Sequence, residues 1–150
     1  EDPTNYDARA EIMWCGSLSH NDTTGERSFG DWSCHQIEHE LSGIWDIAHG
    51  AGLAAIWGSW ARYVYKYNIP RFVQLAVNVM GVPNDFRNQE ATALEGIVRM
   101  EEFFRSIDMP TSISKMGIDL TEENIKELAY TMVLEHTLNV LHCRDGSYID

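Results

Sequence analysis

His49-Gly50-Ala51-Gly52-Leu53-Ala54-Ala55-Ile56-Trp57-Gly58-Ser59-Trp60-Ala61-Arg62-Tyr63-Val64-Tyr65 is the stretch whose reading sets the fold class. From Gly50 to Tyr67 the chain stays apolar for longer than a strand runs, which predicts a helix. Gly50, Gly52, Ala54, Ala55 and Gly58 leave little side-chain bulk at its start, so another backbone can approach closely. A central buried helix is the expectation.

Outward from this helix the same period recurs. Asn68 and Pro70 mark the next helix start, and Phe72, Leu75, Ala76 and Val79 carry its stripe as far as Gly81-Val82-Pro83. Asn88 is a cap for another helix, with Ala91, Leu94, Ile97, Val98, Phe104 and Ile107 on or near one face and Met109-Pro110 closing it. Thr121, followed by Glu122 and Glu123 where the helix dipole favours acids, starts a further helix that runs to about Glu135. Toward the N-terminus, Asp2-Pro3 predicts a helix start, with Tyr6, Ala10, Met13, Trp14 and Ser17 or Leu18 as its stripe. Asn21 to Gly30 has loop composition, and a helix resumes from Asp31 through Trp32, Ile37 and Leu41 until Gly43 offers a break. A second break is expected at His49-Gly50, while Leu138 to Asp150 carries no clear pattern. No strand alternation of useful length occurs. The sum is an all-α helical bundle of about six helices, each of about 10 to 18 residues.

With 150 residues, 44% of them hydrophobic, the chain suffices for one globular domain. Eleven basic against 23 acidic residues argue against a nucleic-acid partner, which would need clustered Lys and Arg. Cys15, Cys34 and Cys143 are odd in number and widely spaced, so they read as free thiols of a reducing compartment. No apolar run approaches the roughly 18 residues of a membrane span, and no secretion signal opens the chain, which together lead to an expected cytoplasmic location.

Three of six histidines fall within residues 35–49. His35 and His39 are four apart and share a helix face, the spacing by which two imidazoles present themselves to one metal. His49 lies fourteen residues beyond His35, about 21 Å along an unbroken helix at a rise of ~1.5 Å per residue. A turn in Gly43-Ile44-Trp45-Asp46-Ile47 would fold it back, and His35 with His49 then becomes as good a pair as His35 with His39. Glu38, Glu40 and Asp46 could complete a site, orient an imidazole or simply face solvent. His20, His136 and His142 lack such company and read as structural.

The run His35-Gln36-Ile37-Glu38-His39-Glu40-Leu41-Ser42, followed by His49-Gly50-Ala51-Gly52-Leu53-Ala54, resembles the metal-binding signature of the iron-containing (group III) alcohol dehydrogenases. The similarity is to the NADPH-dependent butanol dehydrogenase branch. It extends to Tyr6-Asp7-Ala8-Arg9-Ala10 with Met13-Trp14, to Gly30-Asp31-Trp32 and to Tyr63-Val64-Tyr65, and is strongest over residues 3–67. Histidines at offsets 0, 4 and 14, the last followed by glycine, make the signature specific. Gly58 departs from it, because relatives often carry proline there.

The resemblance implies that residues 1–150 are the C-terminal helical metal-binding domain of a dehydroquinate synthase-like fold. His35 and His49 would ligate Fe(II), with Zn(II) equally suited to imidazole nitrogen. His39 would be no ligand but a catalytic, cofactor-contacting proton relay beside the nicotinamide. The reaction implied is reversible hydride transfer between a primary alcohol or aldehyde and NAD(P), by a homodimeric enzyme. Two family features are absent from these residues: an Asp and a His four apart that complete the metal site, and the glycine-rich phosphate loop of the NAD(P)-binding half. With no initiator methionine before Glu1-Asp2-Pro3, the expectation is the C-terminal part of an enzyme more than twice as long, inactive alone. The alternative from another class is a self-contained helical metal sensor or storage module using His35, His39 and nearby carboxylates. Trp32, Trp45 and Trp57 offer either a substrate pocket or ordinary core.

Overall fold

The structure, a computed structural model, describes residues 2–21, 23–24 and 32–131. The expected end of the last helix near Glu135, the tail from Leu138, His136, His142, Cys143 and most of the loop to Gly30 lie outside the described residues. Two compact units divide the chain, Glu1–Trp32 and Ser33–Asp150.

In the first unit, α1 spans Tyr6–His20. Its cap is Asn5, whose side-chain oxygen accepts from the Ala8 amide at 3.0 Å. Asp2 instead accepts from the Thr4 amide and hydroxyl, at 2.9 and 2.7 Å, so the helix starts three residues later than Asp2-Pro3 suggests. No residue of α1 is buried, and Tyr6, Met13 and Trp14 of the expected stripe are exposed. His20 meets the edge of Trp32, with ring centroids 5.9 Å apart.

The second unit holds α2 (Ser33–Trp45), α3 (His49–Val64), a 3-10 turn at Tyr65–Asn68, α4 (Ile69–Asn78), α5 (Gln89–Ser106) and a 3-10 turn at Ile113–Met116. Residues 122–131 are helical as well, after Thr121, whose hydroxyl accepts from the Asn124 amide at 3.2 Å. The fold is all-α, with no strand among the described residues. No helix among them is long and apolar enough to cross a membrane. Cys15 is exposed and Cys34 half-buried, neither in a disulfide among the described residues.

Both asparagine caps are made: Asn68 accepts from the Arg71 amide and Asn88 from the Ala91 amide. Gly43, by contrast, lies inside α2. The break falls at Asp46, which adopts a left-handed conformation at φ 47° while its amide donates to the Ser42 carbonyl at 2.9 Å. Asp tolerates that region better than most residues and takes the place glycine commonly holds past a helix end. His49 then opens α3 rather than breaking it.

Helix α3 is the centre of the unit, packing against both α2 and α5, while α4 lies along α5. Ala61, Tyr65, Val73, Ala93 and Ile97 form a buried cluster. On α5 the buried residues are Thr92, Ala93, Gly96 and Ile97, so the expected stripe is turned: Ala91 and Val98 are exposed. The reason is a close helix crossing. A Cβ on Gly96 would collide with the Ala76 methyl and stand 2.8 Å from its Cα. Gly96→Ala gains about 1 kcal/mol in helix propensity, but overpacking typically costs about 1–3 kcal/mol, and a backbone atom cannot swing aside. We expect a lower urea midpoint at unchanged slope; a higher midpoint would mean that the crossing relaxes freely.

Gly58 makes a second close approach, with Glu101 filling the space its side chain leaves; a Cβ there would meet Oε1 and lie 2.8 Å from Cδ. Arg62 grips the same carboxylate with both guanidinium nitrogens, at 2.5 and 2.7 Å, and also donates to the Gly58 carbonyl at 3.1 Å. This pairing holds the Glu101 carboxyl below its usual range and raises Arg62. Glycine at position 58 therefore has a partner, the Arg62–Glu101 pair that links α3 to α5.

Candidate metal centre

Helix α2 carries His35 and His39 one turn apart, and the Asp46 corner brings His49 back to them at the first position of α3. The three rings converge: centroids are 5.3 Å apart for His35–His49, 5.4 Å for His39–His49 and 6.2 Å for His35–His39. His39 is exposed, His35 half-buried, and the His49 side chain 49% exposed.

Of the carboxylates weighed from sequence, Glu38 enters the cluster. Glu38 is wholly buried. The Ser42 hydroxyl donates to its Oε1, and its Oε2 is paired with His49 Nδ1. A buried carboxyl group requires such partners, because desolvation without them is costly. Asp46 is exposed and serves the corner. Glu40 is half-buried on α2.

The donor set suits a divalent transition metal. Two imidazoles on one tetrahedral ion, each about 2.1 Å from it, hold their centroids about 5 Å apart. Both His35 and His39 stand near that distance from His49. A tighter donor group is Glu38, His39 and His49, whose nearest ligand atoms lie within 4.8 Å of one another. Within it, however, both Glu38 oxygens are already engaged by Ser42 and His49, which favours an orienting role over direct ligation.

The chain as a whole has counterparts among known proteins. A model of the "Fe-containing alcohol dehydrogenase family, C-terminal" matches residues 1–144. The chain belongs to the Fe-containing alcohol dehydrogenase family.

Within that family it is similar to the probable NADH-dependent butanol dehydrogenase 2 of Bacillus subtilis, 33% identical over 129 residues that cover 86% of this chain and 33% of the relative. NADH-dependent butanol dehydrogenase A of Clostridium acetobutylicum is 37% identical over 119 residues, 79% of this chain and 30% of its own. Among solved structures, NADH-dependent butanol dehydrogenase A of Thermotoga maritima superposes with a TM-score of 0.80 at 35% identity, over 89% of this chain and 32% of that one. These three names carry NADH, while NADPH-dependent aldehyde reductase YqhD of Escherichia coli, 28% identical over 79% of this chain, carries NADPH, so both nicotinamide cofactors occur among the relatives. The chain spans about a third of the length of these curated relatives. An Fe-containing alcohol dehydrogenase domain thus replaces the self-contained sensor or storage module as the description of these helices.

Of the tryptophans, Trp57 belongs with the core rather than with the histidines. Trp57 packs on the core, edge-on to Phe104 at 6.0 Å, and with Trp60, Phe72 and Leu75 lines a groove of about 460 Å³ that includes none of the three imidazoles. Trp45 is half-buried at the end of α2, and Trp32 is an exposed residue of the other unit. What the sequence reading left undecided was Glu38. Its signal was Gly52, which a glutamate side chain from α2 overlies.

Proposed function

We propose that this chain is the metal-holding domain of an NAD(P)-dependent alcohol dehydrogenase. His35 and His49 ligate one divalent ion, Fe(II) or Zn(II), and His39 faces substrate and nicotinamide. The observation that carries the reading is the convergence of the three imidazoles across the α2–α3 corner, in a chain of this family.

A divalent ion held there supplies Lewis acidity, offsetting the negative charge that develops on a substrate oxygen as a primary alcohol loses hydride to NAD(P), or as an aldehyde gains it. The chain's own part is positioning and proton movement. The left-handed turn at Asp46 sets the spacing of His35 and His49. His39 is exposed beside them, and imidazole is the side chain suited to exchanging protons near neutral pH. In oxidation His39 accepts the alcohol proton and passes it to water; in reduction the proton returns by the same route.

A tetrahedral ion takes four ligands, and His35 with His49 supply two. The Asp and His that complete the family's set, and most contacts to NAD(P), are assigned to a region outside these 150 residues. The test compares the natural-length protein with the 150-residue chain, each supplied with Fe(II) or Zn(II) and a panel of primary alcohols. The expected result is one ion per chain and metal-dependent reduction of NAD or NADP in the first, with weak metal binding and no alcohol oxidation in the second. Tight stoichiometric binding by the 150-residue chain, with no turnover at natural length, would overturn the reading in favour of a storage or sensor module.

A further inference from the structure

We infer that Glu38 is the positioning residue of this centre: it holds His49 by Nδ1 and so fixes Nε2 as the nitrogen offered to the ion. The inference rests on the metal reading above and deepens it.

Four residues on two helices make the device. Glu38 and Ser42 lie one turn apart on α2, and His49 and Gly52 lie about one turn apart on α3. The Ser42 hydroxyl donates to Glu38 Oε1, which ties that oxygen to α2. Oε2 faces His49 Nδ1, so the inferred tautomer of His49 places its proton between them and leaves Nε2 with its lone pair. Glu38 has no exposed surface, whereas the His49 side chain is 49% exposed, so one edge of the ring is anchored inside while the rest remains accessible. A surface carboxylate would share His49 with water; a wholly buried one cannot.

Gly52 is what lets the carboxylate reach. A Cβ at position 52 would stand 2.6 Å from Glu38 Cγ, 2.7 Å from its Oε1 and 3.0 Å from Ile47 Cδ1. The glutamate side chain therefore lies across the bare face of the first turn of α3, beneath the histidine it holds. Ile47 borders the same space beside Gly52. Glycine at this position provides a perturbation of His49 that alters neither His49 nor Glu38.

The same residues argue against the simplest rival, that Glu38 is itself a ligand. Its Oε2 is the oxygen paired with Nδ1, and its Oε1 holds Ser42. Direct ligation would set the ion against oxygens that already serve Ser42 and His49.

The experiment measures the Zn(II) dissociation constant by competition with a chromophoric chelator, and the visible spectrum after Co(II) loading, in the natural-length protein and three variants. Glu38→Leu is expected to bind Zn(II) about 10–100-fold more weakly. Glu38→Gln, which keeps a carbonyl acceptor for Nδ1–H, is expected to bind Zn(II) more tightly than Glu38→Leu, with an unchanged Co(II) spectrum. Gly52→Ala is expected to weaken binding in the same direction as Glu38→Leu, which keeps the test open should the leucine variant fold poorly. Circular dichroism of the metal-free proteins identifies a variant that has lost its fold. Wild-type affinity in folded Glu38→Leu and Gly52→Ala would overturn the inference. So would a Glu38→Gln protein as weak as Glu38→Leu with a shifted Co(II) spectrum, which would mark Glu38 as a ligand. A folded wild type that binds no Zn(II) at all would instead overturn the metal reading beneath it.

Discussion

His49→Ala is expected to abolish tight metal binding and to lower alcohol oxidation by the natural-length protein about 10³-fold or more. The size follows from what the ion contributes: charge stabilisation by a Lewis acid is worth several kcal/mol, and each ~1.4 kcal/mol is a factor of ten in rate. The substitution also has a second effect that simple ligand loss lacks. It strips Glu38 Oε2 of its partner in a wholly buried position. An unsatisfied buried polar group costs about 1–3 kcal/mol, more if charged. The metal-free protein should therefore unfold at lower urea than the metal-free wild type. Pairing His49→Ala with Glu38→Leu removes both halves of the contact, so a double-mutant cycle should recover part of that stability loss. Metal content by elemental analysis and urea titration of the metal-free proteins measure the two effects separately.

His39→Ala is expected to behave differently: bound metal unchanged, turnover lowered by about 10²–10⁴-fold, the range a positioned general acid–base contributes. His39 is exposed, and its ring stands 5.4 Å from His49 and 6.2 Å from His35. Removing an exposed side chain outside any buried network changes stability by about 0.5 kcal/mol or less, so the loss should be catalytic. Added imidazole should restore part of the rate without altering metal content. If His39→Ala instead empties the site while His35→Ala does not, the ligand pair is His39 with His49, and the roles of the two α2 histidines are exchanged.

The spacing of these histidines made their convergence legible in the sequence, because helix period and a single turn are local properties. Asn68 and Asn88 were legible as caps for the same reason: a side chain that bonds an amide three residues on needs no tertiary context. Asp46 was not. A left-handed residue ends α2 where Gly43 looked the better breaker, and tertiary packing of α2 on α3 carries the helix through the glycine. The α5 stripe was misread because size, rather than hydrophobicity, decides a tight crossing: Gly96 and Ala93 are buried while Val98 is exposed. In α1 an apolar period accompanies a helix with no buried residue. The small residues of α3 did announce close approach, but what approaches Gly52 and Gly58 is a glutamate side chain in each case. Which carboxylate reaches which glycine depends on the relative placement of helices, information no single helix contains.

One measurement bears most directly on the centre: anomalous diffraction at the zinc edge from crystals of the natural-length protein loaded with Zn(II). The account requires a single strong peak between α2 and α3, about 2.0–2.1 Å from a ring nitrogen of His35 and from Nε2 of His49, with Glu38 still on His49 Nδ1 and His39 outside bonding distance. A peak bonded to Glu38 and His39, or no peak at this corner, would contradict it.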